Sequence, residues 1–201
     1  MKDGHLRQRV SYEHGGTGDI VRESFVDANG GKRSNPWKTR DIIMDDGGNV
    51  IRETFFGSEG NKLKKKDGFV ATITRHFSNR GELDEEAYYD ETGRLMIGAD
   101  GYAVIRFKRE KLPGGYVVWR RYFGEDNMPM LIAKEGVASE RKTFDLLGRE
   151  VEWEMFGVKG EKINGALGWQ RAVVEYGRDG GRVGERFFDK SGMRVRTRKE
   201  H

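Results

Sequence analysis

The chain has 201 residues, of which 35% are hydrophobic, 35% charged and 11% aromatic, with 29 glycines, three prolines and no cysteine. That content is too polar for a thick globular core and too aromatic for a disordered chain, and the lack of cysteine excludes disulfides, thiol nucleophiles and Cys-containing zinc sites. The 37 basic against 33 acidic residues leave a net charge of +4, which permits contact with an anionic partner without arguing for one.

Taken from the start, the chain repeats itself. A first unit, residues 1–35, opens at Asp3-Gly4, turns at Gly18 and turns again within SFVDANG (24–30). The second, residues 36–66, carries Asn35-Pro36-Trp37 near its opening, a turn at Gly48 and TFFGSEG (54–60). The third, residues 67–99, opens at Asp67-Gly68 and holds Gly81 and AYYDETG (87–93). The fourth, residues 100–133, opens at Asp100-Gly101 and holds Gly115 and RYFGEDN (121–127). The fifth, residues 134–166, has Glu135-Gly136, Gly148 and EMFGVKG (154–160), and the sixth, residues 167–201, has Leu167-Gly168, Gly181 and RFFDKSG (186–192). Successive copies lie 30, 33, 34, 33 and 32 residues apart.

Each copy has two bulky residues, then Asp or Gly, two variable residues, and Gly or Asn. A hairpin loop built on a type I turn ends in a residue of positive φ, which Gly or Asn adopts at little cost, and an Asp in the first position accepts bonds from the backbone two residues on. Asp27, Asp90 and Asp189 therefore read as turn formers. The 7–10-residue runs between turns are rich in Val, Ile, Thr, Tyr, Phe and Trp and read as strands; no window carries a helical period. The expected fold is all-β: six tandem hairpin units of about 33 residues in one elongated or spiralling antiparallel sheet. Bulky pairs such as Tyr88-Tyr89 and Phe187-Phe188 imply that both faces of the sheet are covered at strand ends. Arg75-His76, Lys108-Arg109 and Arg141-Lys142 are expected across from Glu86, Glu152 or their neighbours, as a cross-strand charge ladder.

TFDLLGREVEWEMFGVKG (143–160), HFSNRGELDEEAYYDETGRL (76–95) and RFFDKSG (186–192) resemble the aromatic-Asp-x-x-Gly hairpin units of bacterial YD repeats of the RHS type, and more loosely variant MORN repeats. The aromatic-Asp pair itself stands at Tyr89-Asp90, Phe144-Asp145 and Phe188-Asp189. The resemblance implies a bacterial β-repeat sheet that acts as a shell, spacer or binding surface, with no catalytic residue among the repeats. KDG at 2–4 matches KDG at 66–68, which suggests a fragment of a longer array.

For chemistry the chain offers little. His5, His14, His76 and His201 share no ligand spacing, so no metal or other cofactor is expected. Glu85 and Glu86 are the first pair to consider for an enzyme, but neighbouring strand residues face opposite sides and cannot converge on one substrate. The chain is read as non-catalytic. Two basic clusters stand out: Lys62, Lys64, Lys65 and Lys66, and Arg194, Arg196 and Arg198 near the C-terminus, the latter on one face of a strand. They are candidate contacts for an anionic ligand, against the alternative that they protect sheet edges. Trp119 occupies a column otherwise held by Arg22, Arg52, Glu85, Glu152 and Gly184, which makes it a candidate exposed aromatic contact. The leading expectation is a non-catalytic β-repeat scaffold or binding module whose partner is another protein or flanking segments of the same chain. The alternatives are a binder of nucleic acid or another anionic surface, a carbohydrate-binding repeat, or part of a toxin-associated shell. No apolar stretch reaches the length of a membrane span and the start has no signal-peptide pattern, so a soluble protein of undetermined compartment is expected.

Overall fold

The computed structural model of the chain describes residues 7–13, 20–26 and 37–196. The expected turns at Gly4, Gly18 and Asp27, and Arg198 of the C-terminal cluster, lie outside them. The fold is all-β and antiparallel, and helix among the described residues is confined to one 3-10 turn, Lys65–Asp67. The chain divides into two compact units, residues 1–98 and 99–201.

In the first unit, strands β1 (Arg7–Glu13), β2 (Ile20–Val26), β3 (Thr39–Met44), β4 (Val50–Phe56), β5 (Thr72–Phe77) and β6 (Leu83–Tyr89) pair each with the next in sequence. The second unit repeats this order with β7 (Val104–Leu112), β8 (Gly115–Phe123), β9 (Ser139–Asp145), β10 (Glu150–Phe156), β11 (Arg171–Tyr176), β12 (Arg182–Phe188) and the short β13 (Arg194–Val195).

One turn is used throughout. Its first residue donates its N–H to the carbonyl four residues on, and its fourth donates back to the first; ten turns among the described residues follow this pattern, starting at residues 45, 57, 78, 90, 124, 145, 157, 165, 177 and 189. The fourth residue has positive φ in every one, and at Asn127 the value is 59°; Asn is the side chain that tolerates this region best after Gly. Where Asp is first, its Oδ1 accepts from the backbone two and four residues on, as Asp90 does from Thr92 (2.8 Å) and Arg94 (2.9 Å). Ser78 does the same with its hydroxyl, at 3.3 and 3.2 Å. Two hairpins depart from the sequence expectation. The turn glycine ahead of β12 is Gly180, not Gly181, whose carbonyl instead accepts from Gly177. The β7–β8 hairpin closes on two residues, with Leu112 opposite Gly115, because Pro113-Gly114 needs no longer loop.

The segments between hairpins also follow one path. The third residue after the turn (Leu63, Met96, Met130, Ile163) donates its N–H to the carbonyl of the first bulky residue of the preceding pair (Phe55, Tyr88, Tyr122, Met155). Further on, Ala71, Ala103, Ala138 and Gln170 donate to the last residue of the following hairpin's pair. The residue after the positive-φ glycine is Tyr102 in one segment, Val137 in the next and Trp169 in the last. The core of the second unit gathers here: Ile105, Tyr122, Ile132, Val137, Met155, Trp169 and Ala172. Tyr102 lies 5.3 Å from Tyr122 and Trp169 5.4 Å from Phe187, ring centre to ring centre. In the first unit Trp37 takes the same part, 5.6 Å from Phe55.

The first residue of each bulky pair thus faces the connecting segments, and the second faces the other side of the sheet. There Arg106 lies over Phe123 at 4.2 Å, Trp119 beside Phe156 at 5.3 Å and Arg171 over Phe188 at 5.0 Å. Side chains from neighbouring strands supply the second layer, which is why Phe123 and Phe156 are buried without a second sheet.

Candidate anionic-ligand site

Most charges on the strands are engaged with one another. Glu53, 7% exposed, sits between Arg40 and Arg75, each at 2.6 Å, and Arg75 also reaches Glu86 at 2.6 Å. Tyr88 completes the chain by donating its hydroxyl to Glu86 at 2.7 Å. In the second unit Glu152 accepts from Arg171 (2.6 Å) and Arg141 (3.4 Å), Arg141 also pairs with Glu154, and Lys142 pairs with Glu150 at 2.8 Å. The cross-strand ladder is present at Arg75 and at Arg141-Lys142. At Lys108-Arg109 the β7–β8 register sets Trp119 and Val118 opposite in place of carboxylates, and Lys108 pairs along its own strand with Glu110 at 2.7 Å. Glu85 and Glu86 lie opposite His76 and Arg75 respectively, consecutive positions of one strand. Burial pushes the Glu140 carboxyl up, against the opposing pull of Arg120 at 4.0 Å, but Glu140 is only 4% exposed.

The lysine cluster is arranged differently. After the Gly57–Gly60 turn, Lys62 bridges back to Phe56 and Leu63 turns its N–H to Phe55. Lys64 is extended, and the following 3-10 turn ends at Gly68 with φ 79°. The Lys65 N–H donates to Glu91 Oε2 at 2.9 Å, which ties the segment to the tip of the β5–β6 hairpin's outgoing turn and, with the nearby Lys64 charge, holds the Glu91 carboxyl below its ordinary value. A comparable tie joins the Lys190 N–H to Asn164 Oδ1, at 2.7 Å, in the second unit.

This path leaves a cleft of about 310 Å³ between the Gly57–Gly60 turn and the 3-10 turn. Lys62, Lys64 and Lys66 line it, with Asn61, Leu63 and Phe69 as its uncharged wall and Glu59 and Asp67 as its acidic groups. Lys64 and Lys66 are exposed and Lys62 is half-buried. Three of the four clustered lysines thus converge on one space, while Lys65 is not among its lining residues. Phe69 was not singled out from the sequence. It stands immediately after positive-φ Gly68, where Val137 is 0% and Trp169 2% exposed, yet Phe69 is 38% exposed. Its place in that column was legible; its exposure was not.

The other candidates separate. Arg194 and Arg196 are exposed on either side of Val195, which packs against the core, and the strand here covers only Arg194–Val195. Trp119, expected as an exposed contact, is half-buried: its ring lies against Phe156 with the Arg141 guanidinium 5.8 Å away. The charged column of the sequence concealed an apolar neighbour on the same face. Among the described residues no group of three or more His, Asp or Glu side chains is placed to hold a metal ion, and no helix is long and apolar enough to cross a membrane. No protein-family model and no curated protein matches the chain.

Proposed function

We propose that this chain is a non-catalytic β-repeat binding module, built of hairpin units of the YD type, in which the strands are scaffold and the segments between hairpins present the contacts. The support is the division of labour among charges: strand carboxylates are spent on neighbouring arginines, as Glu53 is on Arg40 and Arg75, whereas Lys62, Lys64 and Lys66 line an open cleft. That single observation favours an anionic partner over the carbohydrate reading, which depended on an exposed Trp119. A surface of clustered lysines binds polyanions by releasing their counterions, so affinity falls steeply with salt. The test is binding of the chain to a labelled single-stranded oligonucleotide and to heparin between low and physiological salt. Salt-dependent binding that is lost on the double change Lys64→Glu and Lys65→Glu is the expected result; binding indifferent to both salt and the double change overturns the anionic reading.

A further inference from the structure

Within that basic surface the Lys62–Lys66 cleft is small and nearly balanced in charge, so by itself it suits one anionic unit rather than a long stretch of polyanion. Three lysines and two carboxylates, Glu59 and Asp67, line a space of about 310 Å³, at the lower end of the roughly 300–1,000 Å³ usual for small-molecule sites. A polyanion-binding groove would carry one sign of charge along its length. What the cleft combines instead is cations, carboxylate acceptors and one exposed aromatic ring.

We propose that it is a site for a mononucleotide, resting on the anionic reading above. Each part of such a ligand has a matching group. The lysine ammonium groups, three donors each, suit the phosphate oxygens. Glu59 and Asp67 accept from ribose hydroxyls, and would repel a second phosphate placed against them. Phe69 offers a ring face to the base, a contact tolerant of base identity because every base has a π-face. Repeat geometry adds an independent sign. The column position of Phe69 is filled by buried Val137 and Trp169 and by half-buried Tyr102 in other segments, so Phe69 is the most exposed ring or side chain of that column. Lys62 and Lys66 likewise ion-pair with no carboxylate among the described residues, whereas the strand cations of the ladder do.

The experiment is isothermal titration of the full chain at low salt with adenosine monophosphate, inorganic phosphate and adenosine, on wild type, Lys62→Gln with Lys66→Gln, and Phe69→Ala, each variant first shown to keep the wild-type circular dichroism spectrum and melting temperature within a few degrees. Saturable binding of the monophosphate is expected, weakened at least about tenfold by the lysine pair change and about tenfold by Phe69→Ala, with phosphate and adenosine each binding more weakly. If phosphate binds as tightly as the monophosphate, or Phe69→Ala leaves its affinity unchanged, the nucleotide assignment fails while an anion site stands. If the oligonucleotide binds with the expected salt dependence but no mononucleotide binds, the inference fails and the broader reading survives. If neither binds, both fall. Should Phe69→Ala unfold, Phe69→Leu, which keeps apolar bulk without a ring face, replaces it and is read by the same criteria.

Discussion

At the scale of single residues, two glycines with similar backbone demands separate sharply. Gly148 has φ 75° with open space where a Cβ would be, whereas a Cβ on Gly115, at φ 149°, would collide with the Phe144 carbonyl oxygen. That oxygen belongs to the neighbouring strand and cannot swing aside like the end of a side chain. Gly148→Ala should cost about 1 kcal/mol from the left-handed backbone, and Gly115→Ala on the order of 3 kcal/mol or more from strain and overpacking together; chemical denaturation of the two variants makes the comparison. Trp119 is a second case. Since its ring covers Phe156, Trp119→Ala should lower stability by about 1–2 kcal/mol and leave ligand binding unchanged, the reverse of what an exposed contact residue does. Glu53 is a third: removing it in Glu53→Ala strips a partner from both Arg40 and Arg75. A loss of about 1–3 kcal/mol in denaturant unfolding is expected, held below the cost of a fully buried pair because both arginines keep some contact with water.

At the scale of elements, the repeated turn is the unit of construction, and its carboxylates make it sensitive to acid. Asp45, Asp90, Asp145 and Asp189 are all held below the ordinary aspartate range by the groups they accept from. The leading partner is the Asn49 amide for Asp45, the Thr92 hydroxyl for Asp90, the Arg149 N–H for Asp145 and the Ser191 hydroxyl for Asp189. A folded-state value below the unfolded one means stabilisation that is present above the unfolded aspartate value of about 3.9 and lost as pH falls through the folded values. The melting temperature should therefore drop with acid below about pH 4. Glu140 acts in the opposite sense: burial raises its folded value, so protonation relieves a cost, and it does not account for an acid loss. Replacing the four aspartates by Asn should flatten the acid limb, and a limb equally steep in that variant would place its origin elsewhere. Asp90→Ala should lower the melting temperature by several degrees and Asp90→Ser by less, since Ser78 already performs the task with a hydroxyl.

At the scale of the whole molecule, each of the two compact units is a meander in which every strand pairs with its sequence neighbours. Stability is then summed from neighbouring hairpins, because no hairpin of this size can bury its own apolar face. In the second unit the core runs through consecutive connecting segments, from Ile132 and Val137 to Trp169. Phe156 lies on the opposite side of the sheet against Trp119, and at 9% exposure its replacement by Ala should cost about 3–5 kcal/mol, seen as a lowered melting temperature.

Most turn positions, the scarcity of helix and the pairing of bulky residues at strand ends were determined by the sequence alone. Each depends on interactions a few residues long: positive φ at Gly60, Gly93 or Asn127, a side chain reaching its own backbone at Asp90, and alternation with a period of two. A one-residue ambiguity in a Gly-Gly pair, Gly180 against Gly181, marks the limit of that legibility. What tertiary structure alone decided was which face each residue meets and what lies there. Lys62 and Lys66 were legible as a basic cluster, but the cleft they share exists only because the segment folds back on Phe55 and is tied to Glu91. Trp119 and Phe69 exchanged parts for the same reason. Whether a ring is covered depends on the strand beside it, here Phe156 for Trp119, and that neighbour lies dozens of residues away along the chain.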